Sequence, residues 1–276
     1  METIKPVLAN IVNETPSRNN LFKRNLLKEY LQIVVLDFIY SHKEYSQLLF
    51  YGGSALAQCF DLQRLSEDLD FIDEKKEISV IKLAKDLEEY FTKRTDLKIK
   101  TTVQKFRIYL KFPVLRELGL SSRSETDDLF LKVEVYTGFD FCSKYSTDIR
   151  PIFKFNRSVL IKTLDVSTLM ATKIRAILFR KWEKTDKQGK TLVKVKGRDY
   201  FDLLWYLQKG ILPNISCIEG VKDMKELKEK LLAMVASVDS KSIQLDLEAL
   251  ISSPGFVDNV SRNMKAILER EISEKL

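Results

Sequence analysis

The sequence predicts a mixed α/β chain of the α+β kind: a mixed sheet with flanking helices, followed by a helical C-terminal domain. Three observations predict it. Residues 98–112 (KIKTTVQKFRIYLKF) and 129–137 (LFLKVEVYT) alternate polar and apolar side chains, as half-buried strands do. Helical spacing of apolar residues flanks them at 20–42 and 78–93. Beyond about residue 163 the segments 166–182, 199–208, 222–237 and 256–273 all read as helices. The expected division is therefore 1–162, N-terminal helices plus the sheet-bearing core, and 163–276, a helical domain. The 276 residues, 45% of them hydrophobic, suffice for one large domain or two ordinary ones.

The elements follow in order. Leu21, Leu26, Leu27, Leu31, Val34, Val35 and Phe38 mark a long amphipathic helix. In LLFYGGSALAQCF a short apolar run reaches Gly52-Gly53, and Ser54 opens a stretch of good helix formers: strand, tight turn, helix. Residues 69–72 read as a short strand, and 78–93 as a helix with Val80, Leu83, Leu87 and Phe91 inward. The SSRSETDD segment reads as a hairpin-like connection between the two alternating strands.

Composition excludes several chemistries. Lys plus Arg number 46 against 39 Asp plus Glu, a net charge of +7 that tilts toward an anionic partner. The excess is local: residues 150–200 carry 14 basic and 4 acidic side chains, a surplus of 10, whereas 221–276 carry 9 and 10. One histidine, His42, leaves little room for a histidine metal cluster, a Ser-His-Asp triad or a Cys-His dyad. Cys59, Cys142 and Cys217 are few, odd in number and without CxxC spacing, which fits reduced thiols and a cytoplasmic setting. No apolar run is long enough for a membrane span, and the N-terminus has no signal-peptide core, so no membrane association is expected.

The most informative stretch is Gly52-Gly53-Ser54 followed by Glu67-Asp68-Leu69-Asp70-Phe71. On a strand, Asp68 and Asp70 point to one face, about 7 Å apart, and Leu69 and Phe71 to the other. Two carboxylates so placed grip a hard cation through oxygen, and paired metal ions about 3.5–4 Å apart clamp an in-line phosphoryl displacement. Glycines at 52 and 53 let backbone approach a ligand closely. A helix beginning at Ser54 turns free N–H groups toward the β- and γ-phosphates of a nucleotide, and its hydroxyl can donate to a phosphate oxygen. Glu134, in LKVEVY, is the candidate third carboxylate; it shares a face with Lys132 and Tyr136 and is costly there unless paired, metal-bound or facing water. Each piece alone is commonplace; their order along the chain points to a metal-dependent phosphate site.

Gly52-Gly53-Ser54 followed by Arg64, Ser66, Glu67, Asp68, Leu69, Asp70 and Phe71 resembles the first motif of the nucleotidyltransferase superfamily. More narrowly it resembles the AbiEii/AbiGii toxins, the toxin half of type IV toxin–antitoxin and phage-abortive systems, which include the MenT toxins. Leu169 to Lys173 with Arg175 and Arg180, then Gly197-Arg198-Asp199-Tyr200, Asp202 and Leu203, resembles the family's helical motif. The resemblance spans about residues 45–210. It implies a nucleotidyltransferase-like sheet, a site in a cleft between sheet and helices, and catalytic roles for Asp68, Asp70, Lys173 and Asp199. Nucleotide binding then falls to Gly52, Gly53, Ser54, Arg64 and Lys173, and metal binding to Asp68, Asp70 and Glu134. Lys173, an isolated cation on an apolar helical face, suits a triphosphate; Asp199, at a helix start, also suits a cap. Two departures stand out. Glu134 stands where many members have Asp, and Glu183–Lys196 lengthens the link between two helices, as an RNA path or a mobile hairpin.

The expected reaction moves a nucleoside monophosphate from an NTP to an acceptor with Mg²⁺ or Mn²⁺, releasing pyrophosphate. The resemblance implies the tRNA 3′ end as acceptor and a separately encoded antitoxin as partner. Two competing readings remain: the same chemistry on a protein or a small molecule such as an antibiotic, and a non-catalytic nucleotide- or RNA-binding module.

Overall fold

The computed structural model describes residues 1–15, 19–121, 125–142, 144–180, 184–185, 191–193 and 195–276. The chain divides into two compact units. The first is Met1–Phe139 with Thr147–Thr163; the second is Asp140–Ser146 with Leu164–Leu276.

In the first unit a seven-stranded mixed sheet runs in the order β3-β4-β5-β2-β1-β7-β6. Its strands are β1 (Leu49–Tyr51), β2 (Asp68–Ile72), β3 (Lys100–Gln104), β4 (Arg107–Pro113), β5 (Asp128–Tyr136), β6 (Thr147–Lys154) and β7 (Arg157–Leu164). The expected mixed sheet with flanking helices is thus present. β2 lies centrally, antiparallel to β1 and parallel to β5. The register places Tyr51 opposite Asp70, Asp68 opposite Lys132, and Asp70 opposite Glu134. Paired residues share a face, so Asp68, Asp70, Lys132 and Glu134 form a four-cornered group on one side of β2 and β5. On the other side Leu69, Phe71, Val133 and Val135 are buried in the core.

That core is closed by helices α1 (Lys5–Glu14), α2 (Asn20–Ser41) and α4 (Val80–Arg94). The Asn19 side chain caps α2, accepting from the N–H groups of Leu21 and Phe22 at 2.9 and 3.2 Å. Ser79 caps α4 through the Lys82 N–H. α2 is buried on more than one side (Leu27, Leu31, Gln32, Ile33, Val34, Val35 and Leu36 are all fully enclosed), so it is a core helix more than an amphipathic one.

The 98–112 stretch, read from its alternation as one strand, is two. Lys105 takes a left-handed φ of 55°, and the turn at Lys105-Phe106 folds β3 back on β4. The alternation survives on both sides of a two-residue turn, which is why it read as continuous. The β6–β7 hairpin was not expected. Its turn is Phe155-Asn156, with φ of 51° and 58°, the geometry of the hairpin-matched I′ class. Asparagine favours that conformation, but Phe-Asn is a weaker signal than Asn-Gly. The SSRSETDD connection falls partly outside the described residues.

The second unit is mostly helical: α5 (Val166–Phe179), α6 (Gly197–Gln208), α7 (Met224–Ala236), α8 (Ser240–Leu247) and α9 (Pro254–Lys275). Side-chain caps open four of them, from Asp165, Asp223, Asp239 and Ser253. α1 and α8 are too short for their periodicity to have marked them. Between α5 and α6 lies a small antiparallel pair, β8 (Lys184–Thr185) with β9 (Thr191–Val193). Most of the lysines proposed to line an RNA path there lie outside the described residues or their side chains do. Cys142 and Cys217 are joined as a disulfide, with Cα atoms 4.3 Å apart and a sequence separation of 75. This corrects the expectation of three reduced thiols: the partners are brought together by the fold and carry no local spacing signal. Cys59 is the free cysteine among the described residues. No described helix is long and apolar enough to cross a membrane.

Candidate active site

In the first unit the site is built around β2 and the turn that follows β1. Gly52 has φ +80°, and a Cβ added there would lie 2.5 Å from Asp70 Oδ2. Only glycine satisfies both demands. A Cβ on Gly53 would lie 2.6 Å from Arg64 Nη2. The turn is thus pressed against Asp70 on one side and Arg64 on the other. α3 (Gly52–Cys59) starts within the turn itself, two residues before the expected Ser54.

Ser54 is fully buried, and its hydroxyl donates to the Asp68 carbonyl and lies 3.1 Å from Ser66 Oγ. These bonds tie the start of α3 to β2. Arg64, also buried, donates from Nη1 to the Leu65 carbonyl at 2.8 Å.

Glu134 is 4% exposed and densely held. Arg107 Nε donates to Oε1 at 2.6 Å, Lys132 Nζ lies 3.0 Å from the same oxygen, and the Tyr136 hydroxyl donates to Oε2. Burial alone would raise its pKa. The Tyr136 and Lys132 hydrogen bonds and the charges of Lys132 and Arg107 outweigh burial and hold the carboxyl below its ordinary value. Lys132 Nζ also lies 2.9 Å from Asp68 Oδ2. Alternation along LKVEVY already put Lys132 and Tyr136 on the face of Glu134; Arg107, from a different strand, carried no sequence signal.

In the second unit Lys173 on α5 is clasped by two aspartates of α6, 2.9 Å from Asp199 Oδ1 and 2.8 Å from Asp202 Oδ2. Arg180 Nη1 reaches Asp199 Oδ2 at 3.1 Å. Asp202 is fully buried and Asp199 nearly so. Burial opposes ionisation of Asp199, but Lys173, Arg180 and Lys196 together hold its pKa below the ordinary value. Lys196, just before α6, is pushed below the ordinary lysine value by burial and by Arg198, with Arg180 and Lys173 adding to it. Lys173 is therefore not the isolated cation its helical face suggested. It belongs to a group of three cations, Lys173, Arg180 and Lys196, set around two buried carboxylates. Gly197 is needed for a different reason: a Cβ there would lie 2.7 Å from the Ile243 Cα on α8.

The donor set can be weighed against a divalent cation. Asp68 and Asp70 place carboxylate oxygens on one strand face, Asp68 Oδ2 being in contact with Lys132, whereas both oxygens of Glu134 are engaged by Arg107, Lys132 and Tyr136. Among the described residues no group of three or more His, Cys, Asp or Glu is arranged to hold a metal. The residues fit a cation bound by two carboxylates and completed by phosphate oxygens and water.

A glycine turn pressed on a DxD strand, in a mixed sheet, is the arrangement of a nucleotidyltransferase. Residues 37–274 match the family described as "Nucleotidyl transferase AbiEii toxin, Type IV TA system", and the chain belongs to that family. It is an enzyme of the nucleotidyltransferase class and the toxin type of a type IV toxin–antitoxin system. Among solved structures, MenT4, a nucleotidyltransferase toxin from Mycobacterium tuberculosis H37Rv, is similar at 12% identity and a TM-score of 0.52, over 98% of this chain and 93% of that one. JHP933 from Helicobacter pylori is similar at 16% identity and a TM-score of 0.47, over 91% and 94%. No curated protein sequence matches the chain.

Proposed function

We propose that this chain transfers a nucleoside monophosphate from an NTP to the 3′ end of tRNA with Mg²⁺, and so blocks aminoacylation until a separately encoded antitoxin counters it. The observation that carries the reading is the pairing of Asp68 and Asp70 on one strand face beside the Gly52 turn, in a chain of the AbiEii family.

Asp68 and Asp70 would hold the cation. When bound, the metal neutralises the triphosphate and lowers the pKa of the attacking hydroxyl, so no histidine base is required. The Gly52-Gly53 turn admits phosphate oxygens close to backbone N–H groups at the start of α3. Ser54 and Arg64 keep that turn in place. Lys173, poised by Asp199 and Asp202, is the further phosphate ligand. The acceptor 3′-hydroxyl oxygen bonds to the α-phosphorus as the α–β bridging P–O bond breaks, and pyrophosphate carries away that electron pair. The surplus of 10 positive charges over residues 150–200 supports attraction to an RNA backbone. Such an enzyme works in the cytoplasm, where tRNA is charged.

The test is incubation with total tRNA, Mg²⁺ and each α-labelled NTP in turn, beside Asp70→Ala. Label on tRNA from the parent and none from the variant is the expected result. Label on protein or on a small acceptor instead would replace tRNA in this reading. No label with any NTP or acceptor, from a folded parent, would overturn it.

A further inference from the structure

Three carboxylates and one ammonium occupy adjacent corners of β2 and β5. Asp68 and Asp70 are two residues apart on β2; Lys132 and Glu134 face them from β5 in register. The ammonium of Lys132 lies 2.9 Å from Asp68 Oδ2 and 3.0 Å from Glu134 Oε1. An ion shared by Asp68 and Glu134 would have to sit where that ammonium sits. The ammonium is well seated: Lys132 is about a quarter exposed (side-chain 26%), and Glu134 is fixed in turn by Arg107 and by the Tyr136 hydroxyl.

We infer that Lys132 is a resident cation that takes the place of a second metal ion, so that this active site works with one divalent ion, on Asp68 and Asp70, and Glu134 serves to anchor Lys132. The inference rests on the nucleotidyltransferase reading of the same face. It makes Lys132 a positioning residue: its charge holds Asp68 oriented and neutralises what a second ion would otherwise neutralise. Arginine at 132 keeps the charge; methionine removes it and leaves Asp68 and Glu134 facing each other without their shared cation.

The experiment reads the metal directly. The full chain is loaded with Mn²⁺ and the α,β-methylene analogues of ATP, CTP, GTP and UTP in turn, and bound ions are counted by equilibrium dialysis and examined by electron paramagnetic resonance. Two Mn²⁺ ions about 3.5–4 Å apart are spin-coupled, whereas one gives an isolated-ion spectrum. The parent and Lys132→Arg are expected to bind one uncoupled Mn²⁺ per bound nucleotide. Lys132→Met is expected to bind two, coupled, with the second held at least tenfold tighter than any second ion in the parent. A coupled pair in the parent would overturn the inference, and that result needs no variant. A folded Lys132→Met that still holds one uncoupled ion would overturn it too. Transfer of label by a parent holding two ions would sink this inference and leave the enzyme reading intact. A single ion with no transfer to any acceptor would do the reverse.

Discussion

Gly52 and Asp70 constrain each other. A methyl group at position 52 would meet Asp70 Oδ2 at 2.5 Å, and φ of +80° disfavours any side chain. Left-handed backbone costs a non-glycine residue about 1–2 kcal/mol before the clash is counted. Gly52→Ala is expected to lose about 2–3 kcal/mol of stability. It should also lose at least a hundredfold in label transfer, because relief of the clash must move Asp70, a carboxylate of the proposed cation site; thermal melting and the tRNA assay check the two parts. Glu134 makes a second claim testable through pH. Its folded-state pKa is depressed, so its contribution is present above the ordinary glutamate value of 4.5 and is lost as pH falls through the lower folded value. Glu134→Gln removes that contribution. Its melting temperature should therefore fall less steeply than the parent's as pH drops below about 4.5, and parallel curves would refute the ion-paired carboxylate. At this scale much was legible. Asp68 and Asp70 stand in the chain two apart, and strand alternation alone puts them on one face. The grip of Arg107 on Glu134 was not, because it depends on the β4–β5 register. The pairing of Lys173 with both Asp199 and Asp202 likewise depends on how α5 meets α6.

At the scale of elements, α6 and α8 approach until only hydrogen fits between the Gly197 Cα and the Ile243 backbone. A Cβ at Gly197 would press on Ile243 Cα at 2.7 Å and the Ser242 carbonyl at 3.0 Å, neither of which can swing aside as a side chain would. Gly197→Ala is expected to cost about 1–3 kcal/mol as overpacking. It should also weaken the Arg198–Asp246 contacts that join the same two helices, including the Arg198 N–H donating to Asp246 Oδ2 at 2.8 Å. An unchanged melting temperature would contradict the close approach. Gly197-Arg198-Asp199 drew attention as a motif, yet the reason for its glycine lies 46 residues further on at Ile243 and has no trace in local sequence. Hairpins show the same limit from the other side. The β3–β4 turn and the β6–β7 turn rest on left-handed Lys105, Phe155 and Asn156, and of these only Asn156 belongs to a residue type known for it. The longer helices α4, α5, α6, α7 and α9 were readable from their apolar spacing and α2 from its long apolar content; α1 and α8, which are shorter, were not.

At the scale of the whole molecule, the chain leaves its first unit at Phe139, returns at Thr147 and leaves again after Thr163. The seven residues between, Asp140–Ser146, belong to the helical unit. Several contacts fasten them there: the Cys142–Cys217 disulfide, Phe141 beneath the Arg175 guanidinium at 3.2 Å, and the Lys144 carbonyl accepting from Asn214 Nδ2 at 2.7 Å. A boundary placed at 162/163, where the sequence turns all-helical, separates this strip from the unit it completes. The sheet is equally dependent on the later crossing, since β7 pairs with β1 only once the chain has been made as far as Thr163. The helical unit is therefore written in the gene in two pieces, with the last two strands of the sheet between them. A ribosome emits its first piece before the sheet is finished, and that strip must wait for α5 and the chain beyond to appear. Cutting the gene at codon 163 to obtain a free helical fragment should consequently give a product of low solubility or low melting temperature. A fragment that supplies Asp140–Ser146 as a separate peptide should recover part of the loss, measurable as a peptide-dependent rise in melting temperature. Gene fusions or split reporters built on this protein would do better to open it in a surface turn inside one unit than at the border where the sequence turns helical.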